Sequence, residues 1–514
     1  MFSRPKILAF VAGFLSATGF APLDLWPVTL VAFALLLYLV REAGSLRGAL
    51  ARGYWFGVGH FTLGLNWIAH AFTYQDKMPW QLGYGAVVLL SLYLAVYPAA
   101  AAGLAWRRGR HDTAVFALVF AAAWTVTEWL RATLFTGFAW NPLSAVLLPP
   151  GPAQILLPWV GTYGLSALVL LLAAAVLHIA DCVGTHRAVR PASIGWTAPA
   201  TLLCALFLPL SIKVMGFYPD SRTIAEDKAQ PLIRVVQPNI GQQQKYDPAM
   251  AAANFQRLAR LSEKTQPGPR LLLWPESAIP DFLEEERWAR LRVAALLGPR
   301  DMLLTGGVAL IGDPEGRVIG ARNSLFVVTP DARLAGRYDK AHLVPYGEYL
   351  PARPILSLIG ISRLVPGDID FWPGPGPQSL TVPGFGKVGV QICYEVIFSG
   401  QVVDRADRPA FLFNPSNDAW FGVWGPPQHL AQARMRAIEE AMPVVRSTPT
   451  GISAIVDADG RLLAAVPHHR AGYIERHLPP PAPPTLFARF GNLLGLILAA
   501  LLAAAAIARA RFAR

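Results

Sequence analysis

Long apolar runs fill most of the first 215 residues and return near the end of the chain, and they constrain its fold more than any other feature. A helix needs about 20 apolar residues to cross the hydrocarbon core of a bilayer. Eight runs approach or exceed that length: 7–22, 26–41, 53–72, 84–106, 114–133, 155–179, 195–215 and 485–508. We therefore expect an α-helical membrane bundle of about eight spans. The first run is predicted to be kept as a span, because no convincing small-residue cleavage site follows it.

The region between the last two runs has a different composition. From about residue 230 to residue 478 the sequence is typical of a soluble domain, and it is long enough to bury a core of its own. The predicted organisation is a seven-span membrane domain (1–220), a soluble domain (228–480), and a last span with its tail (484–514). The Pro-rich segment 479–485 is predicted to be a stiff connector.

The positions of lysine and arginine predict the orientation, because cytoplasmic loops of membrane proteins are enriched in both residues. With the N-terminus inside, the cytoplasmic segments hold Arg4, Lys6, Arg41, Arg47, Arg52, Arg107, Arg108, Arg110, Arg187, Arg190, Arg509, Arg511 and Arg514. The outer segments hold Lys77, Arg131 and Lys213. We expect both termini in the cytoplasm and the soluble domain in the periplasm. Much of the net charge of +12 is this topology signal, and no basic module with interleaved aromatic residues indicates nucleic-acid binding.

Short strand-like runs alternate with helical patterns throughout the soluble domain. Strands are predicted at 232–240, 270–277, 302–310, 323–330, 388–393, 410–418 and 443–466, and helices at 249–265, 283–297 and 427–442. Such alternation is typical of a layered α/β domain. The Gly- and Pro-rich segment 367–378 is predicted to be a loop that exposes Phe371 and Trp372.

Three residues capable of chemistry, Glu276, Lys340 and Cys393, lie at or near the ends of such runs. Each alone has an ordinary explanation: a solvated turn residue, half of a surface ion pair and a buried core cysteine. Cys393 is, however, the only thiol of the soluble domain and has no partner there for a disulfide. Together the three supply a nucleophile, a general base, and an ammonium that lowers the thiol pKa and stabilises an oxyanion. No histidine is required, and the only histidine near these residues is predicted to be His342.

Four segments around these residues resemble the motifs of the nitrilase, or carbon-nitrogen hydrolase, superfamily. They are LLLWPES (271–277), YDKAHLVPYGEYLP (338–351), GVQICYEVIF (389–398) and NPSNDAWFG (414–422). Each motif is modest alone, but four in this order are highly specific. The resemblance implies an αββα sandwich with a Glu-Lys-Cys triad. With the apolar runs and the segment EWLRATLFTGFAW (128–140), nearly the whole chain resembles the bacterial apolipoprotein N-acyltransferase family.

The resemblance assigns a role to each matching residue. Glu276 corresponds to the general base, Lys340 to the triad lysine and Cys393 to the nucleophile. The implied supporting or substrate-binding residues are Glu348, Tyr394, Glu395, Tyr246 and Trp420.

Two positions depart from the family pattern. Tyr246 follows Lys245 where a tryptophan is expected, and Ala139 precedes Trp140 where a proline is expected. Neither departure touches the triad, so both bear on contacts with lipid or substrate.

The resemblance also implies a reaction. An acyl chain leaves the sn-1 position of a membrane phospholipid, typically phosphatidylethanolamine, and forms a thioester with Cys393. It then passes to the N-terminal amine of the diacylglyceryl-cysteine of a lipoprotein. We expect a monomer integral to the bacterial inner membrane, without cofactor or metal. Phe371 and Trp372 are expected to form part of a mobile lid over the lipid site.

Two other functions remain open from the sequence. A membrane-tethered amidase or nitrilase-like hydrolase would share the triad but pass the acyl group to water, although one anchor would then suffice. A transporter with an appended domain should carry buried charges in its spans. Only Glu128 with Arg131 is suggestive of that. A purely structural or binding role leaves the Glu-Lys-Cys set unexplained.

Overall fold

The computed structural model describes residues 4–74, 79–149, 151–185, 226–245, 247–351, 353–356, 358 and 370–512, with the backbone alone at 182–185, 355 and 356. The chain divides into two compact units. The first comprises Met1–Ala69, Gln81–Tyr218 and Thr485–Arg514, and the second comprises His70–Trp80 and Pro219–Pro484. Some predictions lie outside the described residues: the span at 195–215, the site residue Tyr246, and the charges at Lys77, Arg187, Arg190, Lys213 and Arg514.

The first unit is built from helices, as its apolar runs predict. Their bounds are Arg4–Ser16, Trp26–Arg41, Leu46–Gly64, Ile68–Ala71, Leu82–Leu94, Val96–Gly109, Thr113–Thr133, Pro152–Thr185, Leu486–Phe490 and Leu493–Phe512. Within the described ranges, four helical segments are long and apolar enough to cross a membrane: Leu82–Gly109, Thr113–Thr133, Pro152–Asp181 and Leu493–Phe512. Trp26–Arg41 is a shorter apolar helix. The total of about eight spans therefore stays a prediction.

The charged pair in the helix Thr113–Thr133 has a structural explanation. Glu128 and Arg131 are both buried, with Oε1 of the carboxylate 3.9 Å from a guanidinium nitrogen. Arg131 also donates to the carbonyl oxygens of Phe138 and Trp140, and Glu128 accepts from the backbone N–H of Leu143. Because both charges hold the segment that follows the helix, the pair no longer favours a transporter.

Two six-stranded sheets form the second unit. The strands are β1 (Leu232–Gln237), β2 (Arg270–Leu273), β3 (Met302–Gly312), β4 (Val318–Val328), β5 (Leu334–Asp339), β6 (Ser379–Val382), β7 (Gly386–Val390), β8 (Phe411–Pro415), β9 (Val444–Ser447), β10 (Ser453–Val456), β11 (Leu462–Val466) and β12 (Gly472–His477). The first sheet has the order β12-β1-β2-β3-β4-β5 and the second β11-β10-β9-β8-β7-β6. Three adjacent strands in each sheet run parallel to one another: β1, β2 and β3 in the first sheet and β7, β8 and β9 in the second. The strands on either side of each set pair with it antiparallel.

Helices cover these sheets and complete the predicted αββα sandwich. They are Ala251–Leu261 and Arg287–Ala294 on the first sheet and Gly425–Glu440 on the second. The unit also contains the four-residue helices Gln242–Lys245 and Arg353–Leu356. Leu258 and Val293, from the two helices on the first sheet, join Trp274 and Phe326 in one buried apolar cluster. The sheets are tied together through β1 and β9, since the Ser447 hydroxyl donates to the carbonyl oxygen of Val236 at 2.8 Å.

Strand polarity brings the predicted site residues to one region. The carboxyl ends of parallel neighbours in a sheet point the same way, so residues that follow β2, β7 and β8 can converge. Glu276 follows β2, Cys393 follows β7, and the segment 414–422 contains the end of β8. Lys340 comes directly after β5 and is bonded to β4 through its backbone N–H and the carbonyl oxygen of Asn323.

Candidate active site

Cys393 lies at a sharp turn in the backbone. The predicted strand at 388–393 ends early, at Val390, and Cys393 opens a 3₁₀ helix, Cys393–Ile397. Its φ angle is +53°, in the left-handed region that costs a residue other than glycine on the order of 1–3 kcal/mol. A residue in this conformation cannot continue a strand, which explains the early end. Cys393 is also buried, with 5% of its surface exposed.

Glu276, Lys340 and Glu348 form one buried cluster. The Lys340 ammonium is 1% exposed and lies 2.9 Å from the Glu348 carboxylate and 3.9 Å from Oε1 of Glu276. Glu348 is further fixed by the backbone N–H of Val344, which donates to its Oε2. The carboxylate of Glu276 is therefore no solvated turn residue, and Lys340 is no surface ion pair. The structure gathers both with Glu348, as the motifs predict.

Asn323 joins this cluster and is absent from the sequence-based site. It lies within β4, and its Nδ2 donates to Oε1 of Glu276 at 2.7 Å and to Oε1 of Glu348 at 2.8 Å. A single amide therefore sets the spacing of two carboxylates. The only sequence signal for it is a polar residue in a strand whose second half is buried and largely apolar. Lys245 fixes the same region from another side, since its ammonium donates to the backbone carbonyl oxygen of Glu276 at 3.2 Å.

The electrostatics favour a protonated thiol beside a charged lysine. Burial raises the pKa of Cys393 well above its usual range, and the Glu276 carboxylate raises it further, while Lys340 and the backbone N–H of Asn417 act in the opposite direction. Burial alone would lower the pKa of Lys340, but the Glu348 and Glu276 carboxylates outweigh burial and raise it. At neutral pH the resting pair is thus a thiol and an ammonium, and the thiol must lose its proton as it reacts.

Glu276 keeps one oxygen available for that proton. Its Oε1 accepts from Asn323, whereas its buried Oε2 accepts no hydrogen bond from any residue that the structure describes. This oxygen can therefore accept a proton from a group that reacts beside it.

Glu395 connects the two sheets beside the site. Its Oε1 accepts from the Tyr338 hydroxyl and from the backbone N–H groups of Ala341 and His342, and its Oε2 accepts from the backbone N–H of Ile392. Burial raises the pKa of Glu395 to about 7, against the opposing influence of Lys340 and these N–H donors. Glu395 therefore ties the segment that carries Lys340 to the turn that carries Cys393.

The remaining predicted residues lie around this cluster. The Tyr394 ring packs edge-to-face on Phe398 at 5.2 Å between centroids. Trp420 packs edge-to-face on Tyr74, at 5.4 Å. The backbone N–H of Phe371 donates to the carbonyl oxygen of Glu348, which places this residue of the predicted loop next to the site. Trp372 is 41% exposed, as predicted, whereas Phe371 is half-buried and forms an isolated bridge with Ala321 of β4.

The histidine nearest the motifs in sequence, His342, is not the histidine that contacts Cys393. His342 stacks on Phe398, with ring centroids 3.7 Å apart. His429, from the helix Gly425–Glu440, contacts the backbone of the candidate nucleophile: its Nε2 is 3.1 Å from the carbonyl oxygen of Cys393. It was missed because it is 36 residues away in sequence and lies in a helical pattern with no motif of its own.

Comparison with known proteins identifies the family. Residues 12–175 match the family described as apolipoprotein N-acyltransferase N-terminal domain, and residues 232–481 match the carbon-nitrogen hydrolase family. An apolipoprotein N-acyltransferase of Bradyrhizobium diazoefficiens is 36% identical over 98% of this chain and 95% of its own length. Proteins of the same name from Rhodopseudomonas palustris (35% identical, 99% and 96% covered) and Brucella melitensis (33%, 94% and 91%) are also similar. The chain belongs to the apolipoprotein N-acyltransferase family.

Membership of the apolipoprotein N-acyltransferase family fits the site. The chain is an acyltransferase with a carbon-nitrogen hydrolase domain, and its apolar helices suit a bacterial membrane protein. A thiol, a carboxylate and an ammonium are the groups that covalent acyl transfer through a cysteine uses. The triad roles of Glu276, Lys340 and Cys393 stay a prediction.

Proposed function

We propose that this acyltransferase works in two half-reactions through a thioester on Cys393. The observation that carries the proposal is the buried cluster of Glu276, Lys340 and Glu348. Glu395 ties the segment that carries Lys340 to the turn that carries Cys393. The donor is the sn-1 ester of a membrane phospholipid, typically phosphatidylethanolamine. The acceptor is the N-terminal amine of the diacylglyceryl-cysteine of a lipoprotein.

In the first half-reaction the Cys393 sulfur attacks the ester carbonyl carbon. Glu276 accepts the thiol proton through its unpaired Oε2, because the raised thiol pKa makes attack without a base slow. The tetrahedral oxyanion forms next to the Lys340 ammonium, which stabilises it. The carbon–oxygen bond to glycerol then breaks, the proton passes from Glu276 to the leaving oxygen, and a lysophospholipid departs.

In the second half-reaction the acceptor amine attacks the thioester carbonyl carbon. Glu276, ionised again, takes a proton from the attacking nitrogen, and the Lys340 ammonium again faces the oxyanion. The carbon–sulfur bond breaks, an amide forms, and the thiol recovers its proton. Glu348 and Asn323 do not react in this scheme: they hold the lysine and the base in place.

We further propose that the enzyme lies in the inner membrane as a monomer with both termini cytoplasmic. Residues 1–220 then carry seven spans, 228–480 form a periplasmic catalytic domain, and 484–514 hold the last span. The arginine and lysine distribution supports this orientation. An outer-leaflet lipid site, with Tyr246, Trp420, Tyr394 and the lid residues Phe371 and Trp372 as lipid or substrate contacts, follows from the same arrangement.

The test is the intact mass of the purified protein after incubation with phosphatidylethanolamine vesicles, beside a Cys393→Ala variant. An added acyl mass that hydroxylamine removes, and that the variant lacks, supports the thioester. Addition of a synthetic diacylglyceryl-cysteine peptide should then discharge the adduct and give the N-acyl peptide. Lipid consumption with free fatty acid and no acylated peptide would instead favour a membrane-tethered hydrolase, and intact lipid without adduct would refute the scheme.

A further inference from the structure

Four fully buried polar side chains form a closed network behind the candidate nucleophile. Asn414 lies in β8, Asp418 in the 3₁₀ helix Asp418–Phe421, His429 in the helix Gly425–Glu440 and Arg446 in β9. All four have no exposed surface. Four separate elements therefore each contribute one polar group to a single water-excluded cluster.

The contacts begin and end on Cys393. His429 Nε2 lies 3.1 Å from the Cys393 carbonyl oxygen, and Asn414 Nδ2 donates to the same oxygen at 3.3 Å. Arg446 joins the other ends, since it donates to Oδ1 of Asn414 and Oδ2 of Asp418 at 2.5 Å each. His429 Nδ1 completes the ring, 2.9 Å from both Asp418 Oδ1 and Arg446 Nη2.

The direction of the histidine contact is fixed by chemistry. A carbonyl oxygen can only accept, so Nε2 of His429 carries the hydrogen whichever group its Nδ1 meets. In the neutral ring Nδ1 then accepts from Arg446 Nη2, and the Asp418 carboxylate holds the guanidinium beside it. Asp418 and Arg446 therefore orient the ring, and the ring delivers one hydrogen bond to Cys393.

The network has a feature that a purely structural cluster does not need. Burial of polar groups is costly unless each is hydrogen-bonded, and here two donors from different elements converge on one backbone carbonyl. That carbonyl belongs to a residue with a left-handed φ of +53°. Gly451 shows how tightly the cluster is built, because a Cβ there would lie 2.5 Å from Oδ2 of Asp418.

We propose that His429 is a positioning residue for acyl transfer: through its Nε2–H it holds the Cys393 backbone in the conformation that presents the thiol to Glu276 and Lys340. This inference rests on the proposed role of Cys393 as nucleophile. Asn414 supplies the second hydrogen bond to the same oxygen, and Asp418 and Arg446 keep both donors aligned.

Two substitutions at His429 separate its two contacts. Glutamine places an amide nitrogen near the position of Nε2 and keeps the bond to Cys393, whereas asparagine reaches only the position of Nδ1 and keeps an acceptor for Arg446. Each variant therefore keeps a contact of one imidazole nitrogen and loses those of the other. His477→Gln is the matched control, since the His477 Nδ1 contact at 2.7 Å is to the carbonyl oxygen of Gln230, far along the sequence from the motifs.

The experiment measures the rate of thioester formation with phosphatidylethanolamine, the rate of Cys393 alkylation by iodoacetamide and the thermal unfolding midpoint for each variant. We expect His429→Gln and His477→Gln to acylate within about threefold of the unsubstituted enzyme. His429→Asn should acylate at least about tenfold more slowly, because a small misplacement of a nucleophile is enough for such a loss. The two His429 variants should unfold at similar temperatures.

Equal acylation rates in His429→Asn and His429→Gln, with an intact fold, would overturn the proposal. If His429→Asn does not fold, His429→Phe takes its place: it keeps a ring against Phe421 but has no donor for the Cys393 carbonyl oxygen, and normal acylation there would also overturn the proposal. Failure of the proposed function is recognised separately, because the unsubstituted enzyme itself would then form no adduct relative to Cys393→Ala.

Discussion

At the scale of single residues, the chemistry of the site depends on opposed charges around one thiol. The Glu276 carboxylate raises the pKa of Cys393 and the Lys340 ammonium lowers it, in a setting where burial has already raised it. The same glutamate is the proposed base. Removal of the two charges should therefore change the thiol pKa in opposite directions, while the rate of acyl transfer falls in both cases.

Glu276→Gln should make Cys393 more acidic and Lys340→Met should make it less acidic. A charge within about 4–6 Å shifts a pKa by 1–3 units, so alkylation by iodoacetamide at pH 8 should rise about tenfold in the first variant and fall by a similar factor in the second. Thioester formation should fall at least about a hundredfold in both, since each loses a group that acts in the transition state.

The measurement is the alkylation rate between pH 6 and pH 10, with Cys393→Ala as the background. In the unsubstituted enzyme the rate should still climb above pH 9, because the thiol pKa is raised. Changes of the same sign in the two variants would contradict opposed electrostatic roles for Glu276 and Lys340.

Asn323 gives a second test at this scale. Its Nδ2 donates to Glu276 and to Glu348, so Asn323→Asp replaces a shared donor with a third carboxylate. The rate of acyl transfer at pH 8 should fall about a hundredfold. The new carboxylate repels Glu276 and Glu348 at hydrogen-bond distance, and this repulsion displaces the proposed base Glu276. At pH 5 protonation of one carboxyl restores a donor, and the ratio to the unsubstituted enzyme should partly recover. A defect independent of pH would contradict this explanation.

At the scale of elements, Glu395 is the connection between the segment after β5 and the turn after β7. Three backbone N–H groups and the Tyr338 hydroxyl share its two oxygens. A buried N–H without an acceptor costs about 1–3 kcal/mol, and one ordinary hydrogen bond contributes about 1 kcal/mol. Loss of the Glu395 carboxylate should therefore destabilise the fold more than loss of the Tyr338 hydroxyl.

Glu395→Ala should lower the free energy of unfolding by about 3 kcal/mol, because the buried N–H of Ile392 and the half-buried N–H groups of Ala341 and His342 lose their acceptor. Tyr338→Phe should cost about 1 kcal/mol and keep most of the transfer activity, since Glu395 retains its backbone donors. Thermal unfolding in detergent and thioester formation by intact mass measure both variants. Similar losses in the two would show that the tyrosine, and not the carboxylate, carries the connection.

The elements also show why part of the site could be predicted and part could not. Glu276, Lys340 and Cys393 lie within contiguous motifs at strand ends, where polar residues interrupt apolar runs, and a sequence displays such interruptions directly. Asn323 and His429 belong to the site only because β4 and the helix Gly425–Glu440 pack there. Neither residue has a local signal, since its role depends on long-range contacts that periodicity does not encode.

Element boundaries follow the same logic. The mostly apolar run at 388–393 predicts a strand that continues through Cys393. In the structure the strand ends at Val390, and Cys393 has a left-handed φ that a strand does not accommodate. The predicted strand at 270–277 likewise ends at Leu273, ahead of Pro275, which cannot donate to a neighbour. The hydrophobic pattern of the sequence predicts where both strands lie, but the backbone conformation of the residues after them determines where they end.

At the scale of the whole molecule, the proposed orientation determines which solvent each unit meets. The prediction depends on the many arginines assigned to the cytoplasmic side, among them Arg509 and Arg511 in the last turn of the helix Leu493–Phe512. It can be tested without reference to activity. Arg333 in the second unit has a side chain that is 79% exposed, and Arg511 is also exposed.

Arg333→Cys and Arg511→Cys, each with Cys182 and Cys204 replaced by serine, should therefore label from opposite sides. In spheroplasts a membrane-impermeant maleimide should modify the cysteine at 333 at once and the cysteine at 511 only after permeabilisation. Cys393 stays in both variants as an internal control, because its burial should keep it slow to react. Labelling of position 511 in sealed spheroplasts, with position 333 protected, would invert the orientation. The catalytic unit would then face the cytoplasm, and the proposed encounter with outer-leaflet lipid would fail even if the thioester chemistry held.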